Sequence, residues 1–415
     1  MRVEMMKKYN LPNDFELSQG YLFYYDKIER ANYFLEDVIA TVNQDASSRL
    51  VSHLVAGANL IGDGGQWDML VNIVQKYGIV PKSVFPETKS CVASRRMNQF
   101  LKNKLRQYCS ELRKTYTANT SVTVEELRSM KVTMMTEYHS ILSTFFGKPP
   151  TTFDWSFRNN KKQYRMYKNL TPLSFSNDIV PYDVDGYVSL IHDPRNPYYK
   201  HYTVANLGNV VGGFPIRYLN VPIDILRALT IKSIDSDTPV WFGCDFGKCM
   251  HREKGILHDK IYDYESTFGV GFGMNKQERL LYGESLMTHA MVITAYDRLQ
   301  IDNVVDGEEK ALGGNGAAKN APEYKGETVE DADKHVERPI QKWRVENSHG
   351  TERGDKGYMT MSDGWFTEYV YQVAIKRELV GVELCKLLEA EAVVLPAWDP
   401  MGALAKSVVE SDEEC

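Results

Sequence analysis

The sequence predicts an α+β fold with its two kinds of structure segregated along the chain, on three observations. Through about the first 145 residues, apolar side chains recur at helical spacing. From Thr151 onward, short β-branched and aromatic runs are broken by turn residues. Helices come first and strands later, which separates the chain into a helical part and a β-rich part.

The first helix follows Ser18, a residue suited to an N-cap, and carries Tyr21, Leu22, Tyr25, Ile28, Phe34, Leu35, Val38 and Ile39 close to a 3.6-residue period. Gly62-Asp63-Gly64-Gly65 leads into a second helix with the stripe Trp67, Leu70, Ile73, Val74 and Tyr77. Gly78 stands where a C-cap belongs and Pro81 where a helix stops. Two more helices are expected over about 92–115 and 124–145, ended by Pro149-Pro150.

Strands are expected at Tyr187–Ile191, Tyr202–Ala205, Val240–Gly243, Met291–Tyr296, Trp343–Val345 and Tyr369–Ile375. Residues 302–338 lack periodicity and are rich in Gly, Ala and acids, the composition of a flexible surface insertion. The expected organisation is therefore a mainly helical part over 1–150, and a β-rich part over 151–301 and 339–395. The insertion lies at 302–338, and an arm and tail at 396–415.

With 415 residues, 43% of them hydrophobic, the chain can bury at least one large core. Its net charge of −6 offers no global basic field for nucleic acid, and supports no such partner. No run approaches the roughly 18 apolar residues of a membrane span. The first residues, MRVEMMKKYN, have no apolar region of a secretory signal. Six scattered cysteines (Cys91, Cys109, Cys244, Cys249, Cys385, Cys415) do not form a disulfide framework, and point to a reduced intracellular protein. Cys244, Cys249 and His251 lack a fourth ligand for zinc, so no metal is expected.

Two segments could carry chemistry. His289 heads the apolar run His-Ala-Met-Val-Ile-Thr, and Asn347 follows Trp343-Arg344-Val345-Glu346. Taken alone, such a histidine is more often a satisfied core residue, and such an asparagine a turn residue. As a pair they fit cysteine-peptidase chemistry. That chemistry needs an imidazole to take a thiol proton and an amide oxygen to hold the imidazole in one orientation.

These boxes, His289-Ala290-Met291-Val292-Ile293-Thr294 and Lys342 to Gly350, resemble the His and Asn boxes of the papain superfamily. The wider wording resembles the bleomycin hydrolase family. The segments that carry it are Phe15–Phe23, Asp63–Leu70 on to Phe85-Pro86-Glu87, Val240–Asp245, Gly283–Ala290 and Leu395–Ala405. They span nearly the whole chain.

The resemblance implies a papain-like fold, a helical half and a β-rich half with a cleft between, and cysteine-type aminopeptidase activity. It implies His289 as the general base and Asn347 as its orienting partner. Gly64 and Gly65 would form the backbone rim of the substrate cleft; their other reading is a plain helix-entry turn, and a phosphate loop fits less well because no clear strand precedes them. The last residues, near Ala405, would lie in the cleft and meet the substrate's amino end. It implies peptide, bleomycin-amide and homocysteine-thiolactone substrates, no cofactor beyond a reduced thiol, and a homohexamer. The setting would be the cytoplasm, or the mitochondrion if a transit peptide precedes Met1.

Three departures stand out. The family's oxyanion Gln and its Cys-Trp pair opening the nucleophile helix have no equivalent here. Met1–Lys8 resembles the distal end of that helix, as if the chain lacked its start. His349 stands where the family's Asn box has Trp, and Lys406–Cys415 extend past the family's usual end. The alternative expectation is a catalytically inactive subunit or binding scaffold, with nucleic-acid binding by a local basic surface left open although composition does not support it.

Overall fold

The computed structural model describes residues 1–56, 60–298, 339–348 and 350–405. The expected insertion at 302–338, the substitution at His349 and the tail Lys406–Cys415 lie outside the described residues.

The helical half is built on Gln19–Ala40, Arg95–Ala118 and Val124–Phe146. Ser18 begins the first of these: its Oγ accepts from the Tyr21 N–H at 3.0 Å and donates to the Phe85 carbonyl at 2.6 Å. Thr123 and Glu126 form a reciprocal capping box on the third. The inward faces meet in one core that includes Tyr24, Leu35, Leu101, Leu105, Tyr138 and Leu142, all fully buried. Each such side chain contributes roughly 1.5–3 kcal/mol of burial. A short helix, Arg2–Tyr9, lies at the start of the chain and buries Met5.

Helix Trp67–Tyr77 occupies the junction of the halves. The sequence predicts one apolar stripe, but Asp68 and Asn72 on its other faces are buried too. Asp68 receives the Arg217 guanidinium at 2.7 Å, and Asn72 bonds the backbone of Phe214 in both directions. These polar side chains fasten the helix to the β-rich half. Gly78 ends it at φ 71°, where a Cβ would run into the Pro172 carbonyl.

A two-stranded hairpin, β1 (Phe153–Arg158) and β2 (Tyr164–Leu170), follows. The main sheet then uses β3 (Tyr187–Ile191), β4 (Lys200–Val204), β5 (Tyr218–Asn220), β6 (Val240–Cys244), β7 (Met250–His251) and β8 (Ile256–Leu257). It continues with β9 (His289–Arg298), β10 (Ile340–Glu346), β11 (Tyr358–Ser362), β12 (Val370–Lys376) and β13 (Val393–Leu395). Their order is β13-β4-β5-β3-β12-β6-β9-β10-β11-β8-β7. The strand expected to start at Tyr369 starts one residue later, because Tyr369 closes helix Asp363–Tyr369. Every residue of β3 is buried, and helix Ile223–Asp235 packs on the sheet's core. The chain then returns toward the junction in the 3-10 turn Pro400–Ala405.

Candidate active site

His289 reaches its place through strand pairing. β9 lies between β6 and β10, with Cys244 opposite His289 on one side and Glu346 opposite Val292 on the other. That register sets Asn347, the first residue past β10, beside the head of β9. The imidazole Nε2 lies 2.9 Å from Asn347 Oδ1, across 58 positions of sequence. With Nε2–H as donor, Nδ1 becomes the ring's basic nitrogen. Asn347 is itself fixed: its N–H donates to the Gly357 carbonyl at 3.0 Å, and its Oδ1 also accepts from the Ser348 N–H at 2.8 Å. Its amide nitrogen faces Met359 Sδ at 3.6 Å. The Phe246 ring lies against the imidazole, centroids 4.7 Å apart.

His289 opens onto a cavity of about 1310 Å³ between the halves. Gly64, Gly65, Gln66 and Trp67 line it from the helical side. Asp245, Phe246 and Thr288 line it from the sheet, and Leu404 from the C-terminal arm. The expected site residues His289, Gly64 and Gly65 are thus on one cavity. Of Ala405 only its position is described, at the end of the arm's 3-10 turn next to Leu404.

The glycine rim is held from beneath by helix Gln19–Ala40. Lys27 is wholly buried; its ammonium meets Asp63 Oδ1 at 2.7 Å and the Gly62 carbonyl at 3.2 Å, and bonds the Ile61 carbonyl as well. Burial pushes its pKa below the ordinary lysine value, and Asp63 opposes that shift. Arg30 donates to the Gly64 carbonyl at 2.6 Å while pairing with Asp26. The rim is also where the arm docks: a Cβ on Gly64 would overlap the Leu404 carbonyl. Gln66 and Tyr218 both donate to the Met401 carbonyl, at 3.3 and 3.0 Å.

The described thiols have other neighbours. Cys244 stands opposite His289, yet its side chain is in the sheet's core, and its Sγ lies 3.6 Å from the His289 carbonyl. Burial, with Asp245 nearby, pushes this thiol well above its ordinary pKa. Cys91 also lines the cavity, with its Sγ 3.4 Å from Thr88 Oγ1. Cys249 meets the Tyr369 hydroxyl at 3.3 Å, Cys385 faces the Arg377 carbonyl, and Cys109 is buried among helices. Among the described residues no group of three or more His, Cys, Asp or Glu is gathered as metal ligands would be. No described helix is long and apolar enough to cross a membrane.

Sequence reasoning missed Lys27 and Arg30. The signal was present, since Lys27 falls at an inward position between Tyr24 and Ala31 of an otherwise apolar face. Asp245 ends the string Val240–Asp245 with no local sign of a role, and Phe246 lies just outside that string.

The profile of the Peptidase C1-like family matches residues 1–306 and 327–402. The chain is 44% identical to the bleomycin hydrolase of Gallus gallus over 413 residues, covering 98% of this chain and 82% of that protein. It is 41% identical to the Homo sapiens bleomycin hydrolase with the same coverage. It is 37% identical to aminopeptidase C of Listeria monocytogenes, over 94% of this chain and 79% of the relative. The crystal structure of pepw from Lactobacillus rhamnosis superposes with a TM-score of 0.84 at 40% identity, covering 97% of this chain and 82% of that one.

Proposed function

The chain belongs to the peptidase C1-like family, and from that premise we propose that it forms the body of a cysteine-type aminopeptidase that removes residues from the amino ends of peptides. The observation that carries this reading is the 2.9 Å bond between His289 and Asn347 at the edge of the cavity. Asn347 fixes the ring with Nε2–H toward itself, and leaves Nδ1 to take the proton of an attacking thiol. The thiolate adds to the scissile carbonyl carbon, and a tetrahedral oxyanion forms. Its collapse expels the amine, which receives the proton from the imidazolium, and leaves a thioester. His289 then draws a proton from water, which cleaves the thioester and frees the thiol.

The described thiols engage other partners, so this reading requires a thiolate brought to Nδ1 from outside the described residues. The arm supports action on amino ends: with Leu404 seated on Gly64, it narrows the cavity where a longer peptide would continue. Ala405, at the arm's end, is the position from which the substrate's ammonium group would be met. The names of the relatives make the bleomycin amide a candidate substrate, and homocysteine thiolactone, an activated ester, suits the same attack. The proposal includes assembly as a homohexamer.

An aminoacyl-fluorogenic assay tests it. The 415-residue chain is expected to show no iodoacetamide-sensitive turnover. A product carrying the coding sequence upstream of Met1 is expected to show it, and to lose it with His289→Gln. Iodoacetamide-sensitive turnover by the 415 residues alone, kept in Cys415→Ser, would refute a thiol from outside the described residues. A folded but silent longer product would favour an inactive subunit or scaffold.

A further inference from the structure

The residues before His289, Ser285 to Thr288, are wrapped by the end of β6, which turns outward through Asp245 and Phe246. The Thr288 N–H donates to the Cys244 carbonyl at 2.9 Å. Asp245 is 4% exposed, and its carboxylate spends its bonds on this one turn. Its Oδ2 accepts from Ser285 Oγ at 2.7 Å and from the Leu286 N–H at 3.3 Å, and its Oδ1 lies 3.4 Å from Thr288 Oγ1. Thr288 Oγ1 in turn accepts from the Phe246 N–H at 3.3 Å. Behind them the Tyr371 hydroxyl, 2.6 Å from Ser285 Oγ, completes that serine's bonding. The Phe246 ring, tilted by 44°, packs on the imidazole.

We infer that Asp245 and Phe246 are the positioning residues of His289: the carboxylate fixes the turn that delivers the side chain, and the ring fixes the plane of the imidazole. The inference rests on His289 serving as the base. A buried carboxylate is costly unless its oxygens are satisfied. Here every hydrogen bond its oxygens accept ends within four residues of His289, so satisfying the carboxylate and fixing that turn are one arrangement. The ring answers a separate need. The second side-chain torsion of histidine is broad and roughly two-fold, so an unsupported imidazole can turn over, which puts carbons where Nδ1 and Nε2 were. A base that must offer Nε2–H to Asn347 and Nδ1 to a thiol fails when it does. An aromatic face 4.7 Å away restricts that rotation.

The imidazole can be read directly, without turnover. In the 415-residue chain with 15N-labelled histidine, the ring-nitrogen signals that vanish with His289→Gln belong to this residue. Wild type is expected to show one tautomer, protonated at Nε2, with that proton slow to exchange. In Phe246→Ala and in Asp245→Asn the two nitrogen signals are expected to converge, with loss of the Nε2 proton signal; Phe246→Tyr restores both. If Phe246→Ala and Asp245→Asn fold and keep the wild-type signals, even with lowered melting points, the two residues are merely structural and the inference is wrong. Should Asp245→Asn fail to fold, Phe246→Ala with its Phe246→Tyr rescue decides. Asn347→Ala separates the two levels. If it leaves the ring signals unchanged, the His289–Asn347 reading itself falls; if it alone shifts them, only the present inference does.

Discussion

Arg195 Nη2 lies 2.9 Å from Asp399 Oδ1 and 2.8 Å from Asp193 Oδ2, so one guanidinium joins the end of β3 to the C-terminal arm. Asp399 also accepts from the Met401 N–H at 2.9 Å, which starts the turn that ends on Gly64. All three side chains are largely buried. Arg195→Met leaves two buried carboxylates without a cation, and breaking a pair of that kind costs about 3–5 kcal/mol. Urea unfolding is expected to show a loss of that size. Limited proteolysis mapped by mass is expected to cut within 396–405 earlier than in wild type. A stability loss with unchanged protection of the arm would mean that the clamp serves only the sheet.

Acid is expected to weaken the fold through His192. The residue is 7% exposed, donates from Nδ1 to the Val221 carbonyl at 3.1 Å and stacks on Tyr198. Burial first, then the positive charge of Lys276, push its pKa from 6.5 down to about 3, while the bond to Val221 and the charge of Asp193 pull the other way. The unfolded chain takes a proton below pH 6.5 that the folded chain refuses until about 3. Stability from this group is therefore present above 6.5 and falls as pH drops across that window, by up to about 5 kcal/mol. Urea midpoints taken across the window are expected to fall less steeply in His192→Gln. Equal slopes would place the titration elsewhere.

The parts of the fold legible in the sequence are those fixed by neighbours in the chain. Ser18 caps its helix through a residue three places on, and β3 is one continuous buried run, apolar but for Ser189. Elements fixed from a distance left no such trace. Helix Arg49–Ala56 is short, and what meets it is Trp398 of the arm, with the Arg49 guanidinium 3.9 Å above that ring. β2 is mostly exposed and takes its form from pairing with β1, so its own pattern is not that of a half-buried strand. The same holds at the site. His289 and Asn347 each read locally as ordinary residues; the register of β9 and β10 brings them together, and only resemblance to a family announced that register beforehand. Phe246 had no local signal, because its partner imidazole lies on the adjoining strand.

Lys27→Met tests how far the glycine rim depends on a buried charge. The methionine fills similar space but leaves the Ile61 and Gly62 carbonyls without their donor, while Asp63 keeps bonds from Asn98 and Ser94. Stranding buried carbonyls costs about 1–3 kcal/mol. The backbone amides of residues 61–65 are expected to exchange faster in hydrogen exchange. Slow exchange retained in this segment would show that Arg30 alone is sufficient to hold the rim.

Gly64 and Gly65 are neighbours of one chemical kind, and the structure predicts opposite tolerance for them. A methyl group on Gly64 meets backbone, the Leu404 carbonyl, which cannot yield unless the arm moves as a whole. On Gly65 the nearest atom is Arg30 Nη2 at 2.9 Å, the end of a long side chain, and next is Met69 Sδ at 3.8 Å. The guanidinium can shift by a few tenths of an ångström and keep its bond to the Gly64 carbonyl. Overpacking against an unyielding neighbour costs about 1–3 kcal/mol. Gly64→Ala is therefore expected to lower the urea midpoint and expose the arm to protease, whereas Gly65→Ala changes both only slightly. In a preparation with turnover, Gly64→Ala is also expected to relax the preference for free amino ends, read as the ratio of rates on unblocked and N-acetylated peptides. On this reading the methyl reaches that preference by releasing the arm. If the ratio shifts while the arm stays protected, the glycine contacts substrate directly and the arm is not the barrier.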